Sequence, residues 1–182
     1  MQGIIYNVLA DFVIEQHGMA FWNDVLQESA VPSGGSYTSG ATYADEEAVV
    51  LAGVIAHKLG VSVEDALRAF GEYLFPQLLA RGPVEVHEYK SLIDLLDNLD
   101  STVHAEVKRV SPQAYLPTFH FSRNAAQGKL VYHSKRKMCP VAEGLLQGAA
   151  KHFNQPIELR HTRCMHRGHE QCEWDIIFTG AQ

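Results

Sequence analysis

Three polar side chains of complementary chemistry sit at alternate positions late in the chain: Tyr132, Ser134 and Arg136, just after the apolar run Gly128-Lys129-Leu130-Val131. If that run is a strand continuing through the motif, the phenol, the hydroxyl and the guanidinium project to one side, and His133 and Lys135 to the other. A row of donors with one permanent positive charge is suited to gripping a pair of carboxylates or a phosphate. A second distinctive residue lies upstream. His104 falls in the segment from Asp100 to Arg109, which opens on capping residues and predicts a helix running to Pro112. Val103, His104 and Val107 share a face of that helix, so the imidazole is set on the apolar stripe, apart from Glu106, Lys108 and Arg109. An imidazole there is either a satisfied core residue or a metal ligand.

All three cysteines also come late. Cys139 stands at the entry to a predicted helix, while Cys164 and Cys172 lie on the two arms of a predicted hairpin whose turn holds His166 and His169. His161 precedes Cys164 by three. Clustered Cys and His in a reducing compartment point to metal more than to disulfides. Three thiolates and one imidazole, Cys139, His161, Cys164 and Cys172, would make a closed tetrahedral zinc site. Free buried thiols or redox-active thiols are the alternative, and His166 or His169 could replace His161. No base-and-orienter pattern marks a catalytic cysteine, and no paired carboxylates, nucleophile elbow or nucleotide loop is recognisable, so the chain does not read as an enzyme.

The elements that must position these groups follow from periodicity. Ile5, Leu9, Phe12 and Val13 give an amphipathic helix over Ile4 to Gln16, broken at Gly18, and Phe21 to Leu26 continues as a second helix. The Gly- and Ser-rich stretch 32–40 reads as a connector. No Lys-Ser/Thr follows it to make a phosphate loop. Asp45 to Leu59 predicts a helix closed by Gly60, and Ser62 to Asp65 opens another that ends near Pro76 and carries Phe70, Tyr73, Leu74 and Phe75 at helical spacing. Ser91 to Leu99 precedes the His104 helix. After Pro117 the period changes to two. Thr118 to Ser122 and Lys129 to Tyr132 predict a hairpin, a helix spans about Pro140 to Phe153, and Ile157 to Met165 pairs with Cys172 to Phe178 in a second hairpin. Helices first, then an antiparallel sheet with an inserted helix, is α+β, expected as a single domain over 1–182.

A chain of 182 residues that is 46% hydrophobic is ordinary for a soluble domain. Its longest apolar run, Ala48 to Ala56, is too short to span a bilayer. The N-terminal stretch carries Asp11 and Glu15 and no basic leader, so a cytoplasmic chain is expected. A formal charge of -6 provides no electrostatic footprint for nucleic acid or an anionic membrane.

Together, the opening Met1-Gln2-Gly3-Ile4-Ile5-Tyr6, the His104 helix followed by Pro112 and Pro117, and Tyr132-x-Ser134-x-Arg136 resemble the H-NOX domain, the haem domain of bacterial gas sensors and of soluble guanylate cyclase. The resemblance covers essentially the whole chain. It implies an N-terminal helical subdomain and a C-terminal sheet with haem b held between them, His104 as the proximal ligand of ferrous iron, and Tyr132, Ser134 and Arg136 on the propionates. It further implies that Pro117 and Ile5 press on the macrocycle and that Val141, five residues after the motif arginine, occupies the position where oxygen-binding members carry a tyrosine. With that donor absent, the expected ligand is NO. Because the chain ends at Gln182 without an effector domain, the expected partner is a separate protein, by resemblance a sensor histidine kinase or a cyclic-di-GMP enzyme. Two rival readings share the late cysteines: a haem-free, zinc-stapled interaction module and a thiol redox sensor.

Overall fold

The computed structural model describes residues 1–81, 87–124 and 127–179. Helix α1 (Gly3–Ser29) holds both predicted N-terminal helices, with the backbone breaking at Gly18 (φ 87°, ψ 163°) where the sequence marks a stop. Helix α2 (Asp45–Leu59) ends on Gly60 in the left-handed region, whose amide caps Ala56 and His57. Helix α3 (Val63–Arg81) opens as expected, the Asp65 amide donating to the Ser62 hydroxyl at 3.0 Å. It does not stop at Pro76: that residue lies inside the helix, which runs on to Arg81. An interior proline costs roughly 3 kcal/mol. Packing offsets it, because α3 lies along α6 (Cys139–His152) at backbone contact distance. A Cβ on Gly144 of α6 would sit 2.8 Å from Gly71 Cα and collide with the Arg68 carbonyl, so only glycine permits this approach.

Helix α4 (Leu92–Asp97) is capped by Ser91, whose hydroxyl accepts from the Asp94 amide at 3.0 Å. The expected continuous helix through His104 is instead a π-helical turn, Leu99–His104, followed by a short α5 (Ala105–Val110). Strands β1 (Thr118–Arg123), β2 (Gln127–His133), β3 (Ile157–Arg163) and β4 (Cys172–Phe178) form one antiparallel sheet in the order β1-β2-β4-β3. Both predicted hairpins are present, and Ala125 and Ala126 of the first turn lie outside the described residues. The central pairing of β2 with β4 sets Tyr132 opposite Cys172.

Two cores result. One joins the sheet to α4 and α6 through Leu92, Leu130, Leu146, Trp174 and Ile176. The other unites α1, α2 and α3 through Tyr6, Val13, Leu51, Ile55, Phe70 and Leu74. Helix α6 serves both, with Ala142, Leu146 and Ala149 in the first and Val141 and Leu145 against the second. The fold is therefore a helical N-terminal region joined to a C-terminal antiparallel sheet, as the α+β pattern predicts. Among the described residues no helix is long and apolar enough to cross a membrane.

Candidate functional site

His104 is the last residue of the π-helical turn. Such turns widen the helix by one residue and are frequent at functional sites. Asp100, expected to cap the helix, has another task. Its Oδ1 lies 2.7 Å from His104 Nδ1, and its Oδ2 accepts from the Phe119 amide of β1 at 2.8 Å. An ionised carboxylate cannot donate, so Nδ1 carries the proton and Nε2 is left with its lone pair. Nε2 has no hydrogen-bond partner among the described residues. The side chain is only 16% exposed, and burial lowers its pKa against the pull of Asp100, which favours the neutral form a metal requires. Carboxylate, imidazole and a free nitrogen in line are the usual support of a metal-bound histidine.

The Tyr132-x-Ser134-x-Arg136 row is not all strand. Strand β2 ends at His133, and the chain turns, the Lys137 amide donating to the Ser134 carbonyl at 3.0 Å with Lys137 at a φ of 50°. What brings the three residues together is this turn. Tyr132 and Ser134 are buried, and burial pushes the Tyr132 phenol up to about 12 while Ser134 pulls the other way. Arg136 is held by Tyr115, which the sequence reading did not single out because it lies in the unpatterned stretch between Pro112 and Pro117. Nη1 of Arg136 donates to the Tyr115 carbonyl at 2.7 Å, the guanidinium carbon lies 4.8 Å from the Tyr115 ring centroid, and the Tyr115 hydroxyl accepts from the Lys135 amide at 2.9 Å. Arg136 Nε is 2.8 Å from Asp45 Oδ1 of α2, yet it is buried without a hydrogen bond of proper angle.

Ile5, Pro117 and Val141, the three apolar residues that the resemblance places around a ring, are all half-buried, and Ile5 and Val141 belong to the margin of the helical core. A histidine with one nitrogen to spare, a buried serine, an arginine with an unsatisfied donor and a half-covered apolar margin fit a large planar ligand carrying carboxylates.

The thiols of Cys139, Cys164 and Cys172 converge, their sulfurs lying within 4.8 Å of one another and all three residues being buried. Burial and the adjacent Cys172 and Cys164 sulfurs push the Cys139 thiol up, a penalty that a divalent cation reverses. His161, the expected fourth ligand, is not part of that group. Its Nδ1 lies 2.7 Å from Oε1 of Glu143, a buried carboxylate on α6 that also accepts from Trp174 Nε1 at 2.8 Å and Arg68 Nε at 2.6 Å. Glu143, a lone glutamate within an apolar helix, carries no spacing signal in the sequence.

Comparison with known proteins agrees with these features. The family described as Haem-NO-binding matches residues 2–161. An H-NOX protein from S. oneidensis, solved in the Fe(II)NO ligation state, superposes with a TM-score of 0.93 at 35% identity, covering 99% of this chain and all of the other. The unliganded Fe(II) H-NOX protein from K. algicida gives a TM-score of 0.84 at 28% identity over all of this chain and 98% of its own. The soluble guanylate cyclase gcy-34 of Caenorhabditis elegans is 28% identical over 98% of this chain, which spans only 28% of that larger protein. The chain belongs to the haem-NO-binding, or H-NOX, family of haem-based gas-sensor domains.

Proposed function

We propose that this chain holds ferrous haem b through His104 Nε2 and senses NO on behalf of a separate signalling protein. The observation that carries the reading is the Asp100 bridge, in which Oδ1 accepts from Nδ1–H and Nε2 is left free on a residue ending a π-helical turn. Tyr132, Ser134 and Arg136 would take the propionates, with Ile5 and Pro117 against the ring. Bound there, the haem would supply a ferrous iron able to take up a diatomic gas, with His104 as its protein ligand. Val141 presents no donor on the distal side, which leaves oxygen unsupported and NO favoured. A shift of His104 would be carried by the π-helical turn, and Asp100, tied to the Phe119 amide, would pass it to β1. The surface so altered is what an effector such as a sensor histidine kinase or a cyclic-di-GMP enzyme would read. Resonance Raman spectra of the haem-loaded ferrous protein test the assignment. An iron–histidine stretch should be present, shift in Asp100→Asn and vanish in His104→Gly, whereas a band surviving in His104→Gly contradicts it.

The thiol cluster supports a second element of this reading, a structural zinc bound by Cys139, Cys164 and Cys172 with His161 completing the tetrahedron. Three buried sulfurs within bonding reach of one ion are the support. The ion would pin the start of α6 to β4 beside the propionate turn.

A further inference from the structure

We propose that Glu143 is a positioning residue of the cysteine cluster, setting His161 so that it offers Nε2 to the ion the thiols capture. The inference rests on the zinc reading above and extends it to a residue that contacts no metal.

The Glu143 carboxylate is fully engaged. Oε2 takes Arg68 Nε at 2.6 Å, and Oε1 takes Trp174 Nε1 at 2.8 Å and faces His161 Nδ1 at 2.7 Å. Arg68 supplies the countercharge that a buried carboxylate needs. Oε1 lies beside Nδ1, which leaves Nε2, buried and without a hydrogen-bond partner among the described residues, as the nitrogen open to a ligand. A buried ring nitrogen without a partner is costly unless something else occupies it.

Register shows what lies next to it. On α6, Cys139 and Glu143 are one helical turn apart and share a face. On β4, Cys172 and Trp174 are two residues apart and likewise share a face, and His161 is the register partner of Trp174, their rings 4.7 Å apart. Cys164 follows His161 across the irregularity between His161 and Arg163. Each element thus contributes a cysteine to one layer and a member of the Glu143 group to the layer beside it. The His161 ring lies outside the 4.8 Å group of sulfurs, so it must move to close on an ion the thiolates hold, with Glu143 fixing which nitrogen it presents. Through Arg68 the same carboxylate reaches α3, so the positioning group spans helix pair and sheet.

Metal-stripped, reduced protein titrated with zinc alone against a chromophoric chelator, and with cobalt(II) for its visible d–d bands, provides the test. The wild-type chain should bind one ion with a tetrahedral cobalt spectrum. Glu143→Gln should weaken zinc by about 10- to 100-fold and move the cobalt bands toward those of His161→Ala. Lys151→Ala, which removes an exposed ion pair with Glu72 between the same two helices, should keep both near wild type. Should the glutamine variant not fold, Glu143→Asp, one methylene short, should show the same weakening in smaller measure. Wild-type affinity and bands in the Glu143 variant overturn the inference, as does a Lys151→Ala loss of equal size, which would make the effect one of helix packing. A wild-type chain that takes up no zinc overturns the zinc reading itself, and the inference with it.

Discussion

The two candidate sites differ in how complete they are. Around the cysteines the protein is closed: Cys139, Cys164 and Cys172 are 2%, 6% and 0% exposed, Trp174 is fully buried, and each oxygen of Glu143 has a partner. Around His104 and Arg136 the polar groups are anchored but the walls are not. Ile5, Pro117 and Val141 stay half-buried. A small ion needs only ligands already near one another, whereas a large planar cofactor must find a margin left uncovered. The second site depends on fixing its polar anchors through neighbours, which is the work of Asp100 and Tyr115.

The comparison can be broken most severely at His104. His104→Gly should lose stoichiometric haem unless imidazole is supplied. With imidazole present, hydrogen exchange over 99–110 should no longer respond to NO, and a retained response would place the signal elsewhere. Next comes Arg136. Losing a charged hydrogen bond is worth roughly 1.5–3 kcal/mol, so Arg136→Ala should speed haem loss by about 10- to 100-fold, and Ser134→Ala should do so less. Equal haem-transfer rates for the two would remove the charge argument.

The closed region should resist added volume where the open one tolerates change. Gly144→Ala pushes a methyl into the Arg68 carbonyl and Gly71, and overpacking of this kind costs about 1–3 kcal/mol. Ile5→Val, on the half-buried margin, should cost under about 1 kcal/mol. Thermal melts of the two variants decide, and comparable shifts would erase the distinction.

The smallest effect is expected at Asp45. Its burial raises the pKa, but the Met1 amino group and the Arg136 guanidinium outweigh that and hold the carboxyl below its usual range. A depressed carboxylate stabilises the fold fully above its unfolded value near 3.9, and the contribution fades as pH falls from there through the folded value. Asp45→Asn should therefore flatten the acid side of a denaturation profile below about pH 4. A slope identical to wild type would show that the contact carries no stability.

Much of the fold was legible because local signals and tertiary structure agree. Asp45 to Leu59 with Gly60, the break at Gly18 and the strands on either side of α6 stand where periodicity and capping residues put them. Pro76 misled because its cost is outweighed by packing against α6, a helix distant in sequence, which no local pattern reveals. The π-helical turn was invisible for a related reason: Asp100 has the composition of a cap, and only β1, supplying the Phe119 amide, recruits it as a bridge. The Tyr132, Ser134 and Arg136 set was legible as chemistry but not as geometry, since alternation was assumed beyond the point where Ser134 starts a turn. The thiols were legible from type and spacing. The carboxylate beside them was not, because Glu143 gains its meaning from Arg68, Trp174 and His161, each on a different element.

The most direct test of the account is the visible absorption spectrum of the reduced, haem-loaded protein, recorded before and after exposure to air and then to NO. The account predicts a Soret band that shifts with NO and not with air, in keeping with Val141 as a donor-free distal residue. A stable oxygen complex would contradict the selectivity, and a chain that binds no haem would contradict the assignment of His104 and Arg136.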